Sequence, residues 1–142
     1  RLRFEITETS LINNLTNAAK LVASLRAAGY AIMLDDFGAG VSSFAYLEHF
    51  PADYLKIDGG FVRKLKTNPV DRAIVESIND IGHKIGAVTV AEFVEDDETL
   101  DILREIGVDM GQGYHIARPI PLEDLLDACR ADDARLTAEL RA

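Results

Sequence analysis

Charged and amide side chains recur at the ends of apolar runs in this chain of 142 residues. Glu5 lies in Phe4-Glu5-Ile6-Thr7-Glu8, and the pair Asp35-Asp36 follows Ala31 to Leu34. Lys56 lies in Leu55-Lys56-Ile57-Asp58, Glu92 in Ala91-Glu92-Phe93-Val94-Glu95, and Gln112 in Gly111-Gln112-Gly113. A charge on an apolar strand costs several kcal/mol or more unless it is paired or binds a metal. The set therefore points to a shared cation or substrate. No His or Cys cluster accompanies these groups, and oxygen donors alone suit hard ions, so Mg2+ or Mn2+ is expected rather than structural Zn2+.

The groups stand roughly 20 to 36 residues apart, about the length of a strand, a loop, a helix and a loop, which is the rhythm of parallel βα units. Alternation of Leu2, Phe4 and Ile6 with Arg3, Glu5 and Thr7 predicts a first strand already in progress. Leu15, Ala18, Ala19, Val22 and Leu25 predict a helix stopping near Gly29. Further strands are expected at Ala31 to Leu34, Tyr54 to Asp58, Ala87 to Ala91 and around Val108 to Gly113. Gly38 to Ser43 reads as a flexible loop, and Phe44, Tyr46 and Leu47 as a short helix before Pro51. Asn68-Pro69 reads as an N-cap with proline in the first turn of a helix whose buried stripe is Val70, Ile74, Ile78, Ile81 and Ile85. Asp97 is expected to cap a helix carrying Leu100, Leu103 and Ile106, and Pro121 to open one with Leu122, Leu125, Leu126 and Cys129 inward. The resulting α/β pattern allows an open doubly wound sheet or a closed barrel. Polar groups at five strand ends favour part of a (βα)8 TIM-type barrel with about five βα units, because such barrels gather their active site at that face. A full barrel needs about 200 residues or more, so the N-terminal strands are expected to be absent.

Composition limits the possible functions. Hydrophobic residues make up 48% and charged residues 27%, enough apolar material for one globular domain or part of one. No apolar stretch approaches the ~20 residues of a membrane helix, and no signal peptide is evident. A cytoplasmic location is expected, with membrane attachment of the parent protein left to other segments. Fifteen Lys and Arg against 24 Asp and Glu give a net charge of −9, which argues against a DNA or RNA partner and requires a cation to mediate any anionic substrate. The lone Cys129 falls in an apolar helix pattern and reads as a small buried or half-buried filler.

Together, the five motifs, including Leu34-Asp35-Asp36-Phe37-Gly38-Ala39-Gly40 and Gln112-Gly113-Tyr114, resemble the EAL family of cyclic di-GMP phosphodiesterases, in order and in spacing. The match runs from residue 1 to about 121, leaving 122–142 as a C-terminal helix or tail, and covers roughly the last three-fifths of a single EAL domain. The resemblance implies that Glu5 and Asp35 hold a first divalent ion, and that Asp35 bridges to a second ion held also by Asp36 and Glu92. It implies that Lys56 orients the attacking water or the phosphate, and that Glu92 assists deprotonation of that water. Glu95, Gln112 and Asp58 resemble groups that position water or substrate, and Glu8 resembles the anchor of the loop from Gly38 to Ser43. Phe93 stands where glycine is common in the family and Val41 where tyrosine is common, so altered loop packing is expected there. Two hard ions about 3.5 to 4 Å apart would clamp a phosphodiester and stabilise its leaving oxygen.

The family's Glu-Ala-Leu segment and Asn-bearing strand have no counterpart in this sequence, so the isolated chain is expected to hydrolyse cyclic di-GMP to linear pGpG weakly or not at all. A non-hydrolysing cyclic di-GMP receptor or protein-interaction module is the alternative. A third reading is a barrel enzyme that uses carboxylate-held Mg2+ and a Lys base to abstract a proton beside a carboxylate. The residues also have plainer readings: Asp35-Asp36 as a turn, Lys56 as a structural ion pair, and Glu95 to Glu98 as an acidic helix start. Gly111-Gln112-Gly113 could be a simple bend, and His49, His83 and His115 read as surface residues. Exposed sheet edges are expected to lead to a homodimer or strand exchange unless a preceding segment covers them. Regulatory domains are expected upstream in the parent protein.

Overall fold

The computed structural model describes residues 2–40, 46–47 and 50–139, with side chains described as far as residue 130. Val41, Ser42, Ser43, Phe44 and His49, on which the loop, short-helix and histidine expectations partly fell, lie outside the described residues.

Among the described residues, five strands, β1 (Arg3–Thr7), β2 (Ala31–Phe37), β3 (Tyr54–Ile57), β4 (Val88–Ala91) and β5 (Met110–Gly111), form one sheet. Every pair is parallel and the spatial order is β1-β2-β3-β4-β5. A doubly wound sheet reverses its strand order at a switch point. Strictly sequential order has no such reversal and is the order of a barrel wall, so the architecture is a partial (βα)8 barrel.

Among the described residues, six helices connect or follow the strands: α1 (Glu8–Asn13), α2 (Leu15–Ala27), α3 (Gly59–Val62), α4 (Pro69–Lys84), α5 (Asp97–Ile106) and α6 (Leu122–Glu139). The main core lies between the sheet and these helices. Ile32, Leu34, Leu55, Ile57 and Ala91 are buried there with Leu11, Val22, Val62, Val75, Ile78 and Leu103. The opposite, concave face carries Arg3, Glu5, Met33, Val90, Met110 and Gln112 around a cavity of about 440 Å³.

Helix starts follow local hydrogen-bond supply. Thr7 accepts the Ser10 N–H and ends β1, so the run Phe4 to Glu8 divides between a strand and the start of α1. Asn68 accepts the Val70 N–H ahead of Pro69, as expected. The cap of α5 is Asp96, not Asp97, because it is the Asp96 carboxylate that accepts the Thr99 N–H.

One expected face is corrected at its ends and another throughout. In α4, Ile78 is buried and Ile74 and Ile81 pack against the core as expected, Val75, Asn79 and Gly82 are buried as well, and Val70 and Ile85 are exposed. The helix turns Gly82 toward the sheet, where a Cβ would come within 2.5 Å of Thr89 Cγ2, and this close approach sets the rotation. In α6, Leu122, Leu125, Leu126 and Cys129 are exposed rather than inward. An apolar stripe is buried only against a partner surface, and the described residues offer that face none.

Candidate active site

Successive residues of a regular strand point to opposite faces, so Asp35 and Asp36 could not both serve one site from an ideal β2. The strand solves this with a bulge. Leu34 pairs with Leu55 and Phe37 with Ile57, which puts one extra residue on β2 between these two rungs. Asp36 takes the extra position with a φ of 54°, in the left-handed region that Asp tolerates better than most residues. One oxygen each from Asp35, Asp36 and Glu92 then falls within 4.8 Å of the others.

Lys56 projects from β3 into the middle of this group, with its side chain only 3% exposed. Its Nζ lies 2.6 Å from Glu92 Oε1, 2.8 Å from Asp35 Oδ1 and 3.3 Å from Glu5 Oε2. One ammonium thus gathers carboxylates from β1, from β2 and from the end of β4. Glu5 joins the cluster through Lys56 and stands apart from the tight triad of Asp35, Asp36 and Glu92.

The electrostatics leave a surplus of negative charge. Burial pushes the Glu92 carboxyl above its usual range, an effect opposed by its bond to Lys56. Asp36 is also raised, first by burial and then by the charges of Asp35 and Asp58. Burial pulls the Lys56 ammonium downward, yet its bonds to Asp35 and Glu92 outweigh this and hold its affinity for the proton above the ordinary value. Four carboxylates therefore face one firmly charged ammonium. The buried Asp35 Oδ1 is served only by that ammonium, at 2.8 Å, among the contacts described. Converging oxygen donors and excess negative charge together fit a hard divalent cation.

The remaining expected residues occupy distinct places. Glu8 is 2% exposed; its Oε2 accepts the Gly38 N–H at 3.1 Å and its Oε1 accepts the Tyr46 O–H at 2.7 Å. It thereby ties the end of the β2 bulge to the residues before β3. Asp58 caps α3 by accepting the Gly60 N–H at 2.8 Å, and it acts on Asp36 through its charge. Glu95 and Gln112 lie outside the triad and line a cleft of about 250 Å³ with Glu92, Phe93, Gly113 and Tyr114. The Gln112 backbone holds that cleft together, donating to Ala91 O at 2.8 Å and accepting from the Val94 N–H at 3.0 Å. His83 and His115 are exposed and pair with Asp109 and Asp97 respectively.

Two features of the mouth carry no signal in sequence spacing. Tyr46 stands 38 residues from Glu8, and only the fold shows that they bond. Arg63 places its guanidinium 3.7 Å from the centre of the Phe93 ring, a contact that needs the α3 start to lie beside the end of β4.

Comparison with known proteins gives the family and agrees with the fold. The EAL domain family pattern matches residues 1–119. The cyclic di-GMP phosphodiesterase PdeB of Shewanella oneidensis is 50% identical over 119 residues, covering 84% of this chain and 14% of that protein. Among solved structures, the PaMucR phosphodiesterase in complex with c-di-GMP superposes with a TM-score of 0.79 at 37% identity, over 85% of this chain and 49% of that one. The manganese and cy-diGMP complex of Klebsiella pneumoniae BlrP1 gives a TM-score of 0.74 at 35% identity, over 80% of this chain and 30% of that one. The chain spans half or less of the length of each of these relatives. No helix among the described residues is long and apolar enough to cross a membrane.

Proposed function

This chain belongs to the EAL domain family, and from that premise we propose that it forms the ion-binding half of a phosphodiesterase that opens cyclic di-GMP to linear pGpG. The observation that carries the reading is the Lys56 ammonium in contact with carboxylates from three different strand units, beside a fourth carboxylate on the β2 bulge. That cluster is costly to fold without a cation and well suited to one.

In this reading Asp35, Asp36 and Glu92 hold Mg2+ or Mn2+, and Glu5 contributes from β1. Once bound, such ions activate water and offset charge on the phosphodiester and its leaving oxygen. Lys56 has donors only and is fixed by its partners, so it orients the phosphate or the incoming water. Glu92, bonded to Lys56 at the end of β4, would take the proton of the attacking water as the new P–O bond forms, while the P–O bond to the ribose oxygen breaks and that oxygen is protonated from solvent. Gln112, Glu95 and Asp58 position the substrate or shape the site around these groups. Glu8 keeps the β2 end in place.

The test is hydrolysis by the full-length protein that carries this sequence. With Mn2+ present it is expected to convert cyclic di-GMP to linear dinucleotide, and Lys56→Ala and Asp35→Asn are each expected to lower turnover by at least about 100-fold. Tight binding of cyclic di-GMP by the unaltered protein with no product would select the receptor reading instead.

A further inference from the structure

The chain changes direction across a single residue at the end of β4. In a regular parallel strand the N–H groups of residues i and i+2 face the same neighbour, so Glu92 and Val94 would both donate toward β3. Instead the Glu92 N–H donates to Ile57 O at 3.3 Å on the β3 side, and the Val94 N–H donates to Gln112 O at 3.0 Å on the β5 side. The whole turn falls on Phe93, whose φ is 53°. That left-handed conformation suits glycine, and in a bulky aromatic residue it persists only where the surroundings enforce it.

Contacts on both sides of this pivot enforce it. The Phe93 ring packs on Gly59, where a Cβ would overlap ring atoms Cγ, Cδ2 and Cε2, and the Arg63 guanidinium lies 3.7 Å from the ring centre. Beyond the pivot, Gly113 lies so close to the Val94 backbone that a Cβ would overlap Val94 N and O. Gly59 directly follows Asp58, the cap of α3, and stands three residues after Lys56. The ends of β4 and β3 are therefore linked twice, by Glu92 to Lys56 at 2.6 Å and by Phe93 to Gly59.

We propose that Phe93 is a positioning residue for Glu92: its ring, packed on Gly59 and held by Arg63, locks the pivot and so keeps the Glu92 carboxylate against Lys56 and within the oxygen triad. The proposal rests on the phosphodiesterase reading only for the reaction that Glu92 serves. The electrostatics of the cluster give the lock its purpose. The charges of Asp35 and Asp36 oppose a charged Glu92 in this place, and Lys56 is the cation that attracts it. A rigid backbone limits how far that repulsion can move the carboxylate, and a displacement of about 1 Å at a reacting group can cost about a hundredfold in rate. Phe93 touches neither Lys56 nor the triad in any contact described above, so it acts through its neighbour in the chain.

The experiment compares Phe93→Gly, Phe93→Tyr, Gly59→Ala and the double variant Gly59→Ala/Phe93→Gly in the full-length protein. It reads kcat and KM for cyclic di-GMP with Mn2+, and Mn2+ affinity by electron paramagnetic resonance. Glycine tolerates the positive φ and removes a ring that is already 44% exposed, so the fold survives Phe93→Gly. That variant is expected to lower kcat about ten- to a hundredfold with KM within about threefold, and to weaken Mn2+ binding about tenfold. Phe93→Tyr keeps the ring and should stay within about twofold of the unaltered protein on both. Gly59→Ala displaces the ring while leaving residue 93 intact, so it should reproduce the loss of kcat, and the double variant should be no worse than Phe93→Gly alone. Unchanged kcat and Mn2+ affinity in Phe93→Gly, multiplied losses in the double variant, or a raised KM at unchanged kcat would each overturn the pivot and leave the phosphodiesterase reading standing. If the unaltered protein binds Mn2+ without hydrolysing cyclic di-GMP, the phosphodiesterase reading falls. The Mn2+ comparison then decides the pivot by itself, a loss of about tenfold in Phe93→Gly upholding it and an unchanged affinity overturning it.

Discussion

Glu92 Oε1 lies 2.6 Å from Lys56 Nζ, which joins the end of β4 to the middle of its neighbour β3 by a pair whose lysine side chain is 3% exposed. Such a pair is a weak source of net stability, but losing one partner leaves the other buried and uncompensated. Lys56→Met should therefore destabilise the metal-free protein by about 3 kcal/mol, the lower end of the usual range, because Asp35 and Glu92 keep some contact with solvent. Added Mn2+ should restore part of that loss. Urea unfolding with and without Mn2+ measures both, and an unchanged midpoint without metal would show that Lys56 does not hold the cluster together.

Glu8 serves two donors with two oxygens, the Gly38 N–H and the Tyr46 O–H, from a site that is 2% exposed. Glu8→Ala removes both acceptors and leaves the Gly38 N–H and the Tyr46 O–H without them. A loss of about 1 to 3 kcal/mol is expected, and about 1 kcal/mol for Tyr46→Phe. The double variant should lose less than the sum, because both changes remove the same bond. Full additivity in chemical denaturation would show that the two side chains do not interact.

Asp96 caps α5 and pairs with Lys66, and these bonds, the one to Lys66 first, lower its carboxyl from 3.8 to about 2. A carboxyl whose folded value is depressed stabilises the fold above its unfolded value. That contribution is lost as pH falls through the window from about 4 to about 2. Asp96→Asn should make the acid limb of the stability curve shallower in that window and lower stability at pH 7. An acid limb identical to that of the unaltered protein would remove Asp96 from the account.

β1 and β5 are the two edges of the sheet, and Met110 is 42% exposed beside the open concave face. Unpaired edges template further pairing. The isolated segment 1–142 should therefore self-associate, through a dimer or strand exchange, and should hydrolyse cyclic di-GMP at least about tenfold more slowly than the full-length protein. A stable monomer by light scattering, or turnover equal to that of the full-length protein, would contradict this.

Sequence spacing predicted the strands and the arrival of Glu5, Asp35, Lys56, Glu92 and Gln112 at one end of the sheet, because a parallel βα repeat leaves few alternatives. It did not predict the β2 bulge. A period-2 pattern contains no mark for one extra residue, and Asp36 is no less ordinary in a sequence for having a φ of 54°. The α4 stripe was right at Ile74, Ile78 and Ile81 and wrong at its ends, because Val70 and Ile85 satisfy helical spacing as well as Val75 and Gly82 do, and only the close approach at Gly82 decides between them. Leu122 to Leu126 form a valid apolar stripe, but periodicity cannot supply the surface that would bury it. Arg63 and Phe93 meet only through the packing of α3 on the end of β4, so no local pattern announced their contact.

The central claim is that carboxylates from separate strand units share divalent ions, and the direct measurement is Mn2+ binding followed by electron paramagnetic resonance. Titration of the full-length protein should give bound Mn2+ that is lost or weakened at least about tenfold in Asp35→Asn and in Glu92→Gln. It should be unaffected in Asp109→Asn, whose carboxylate bonds Thr89 and His83 away from the cluster. Mn2+ binding of equal stoichiometry and affinity in Asp35→Asn and Glu92→Gln would contradict the account.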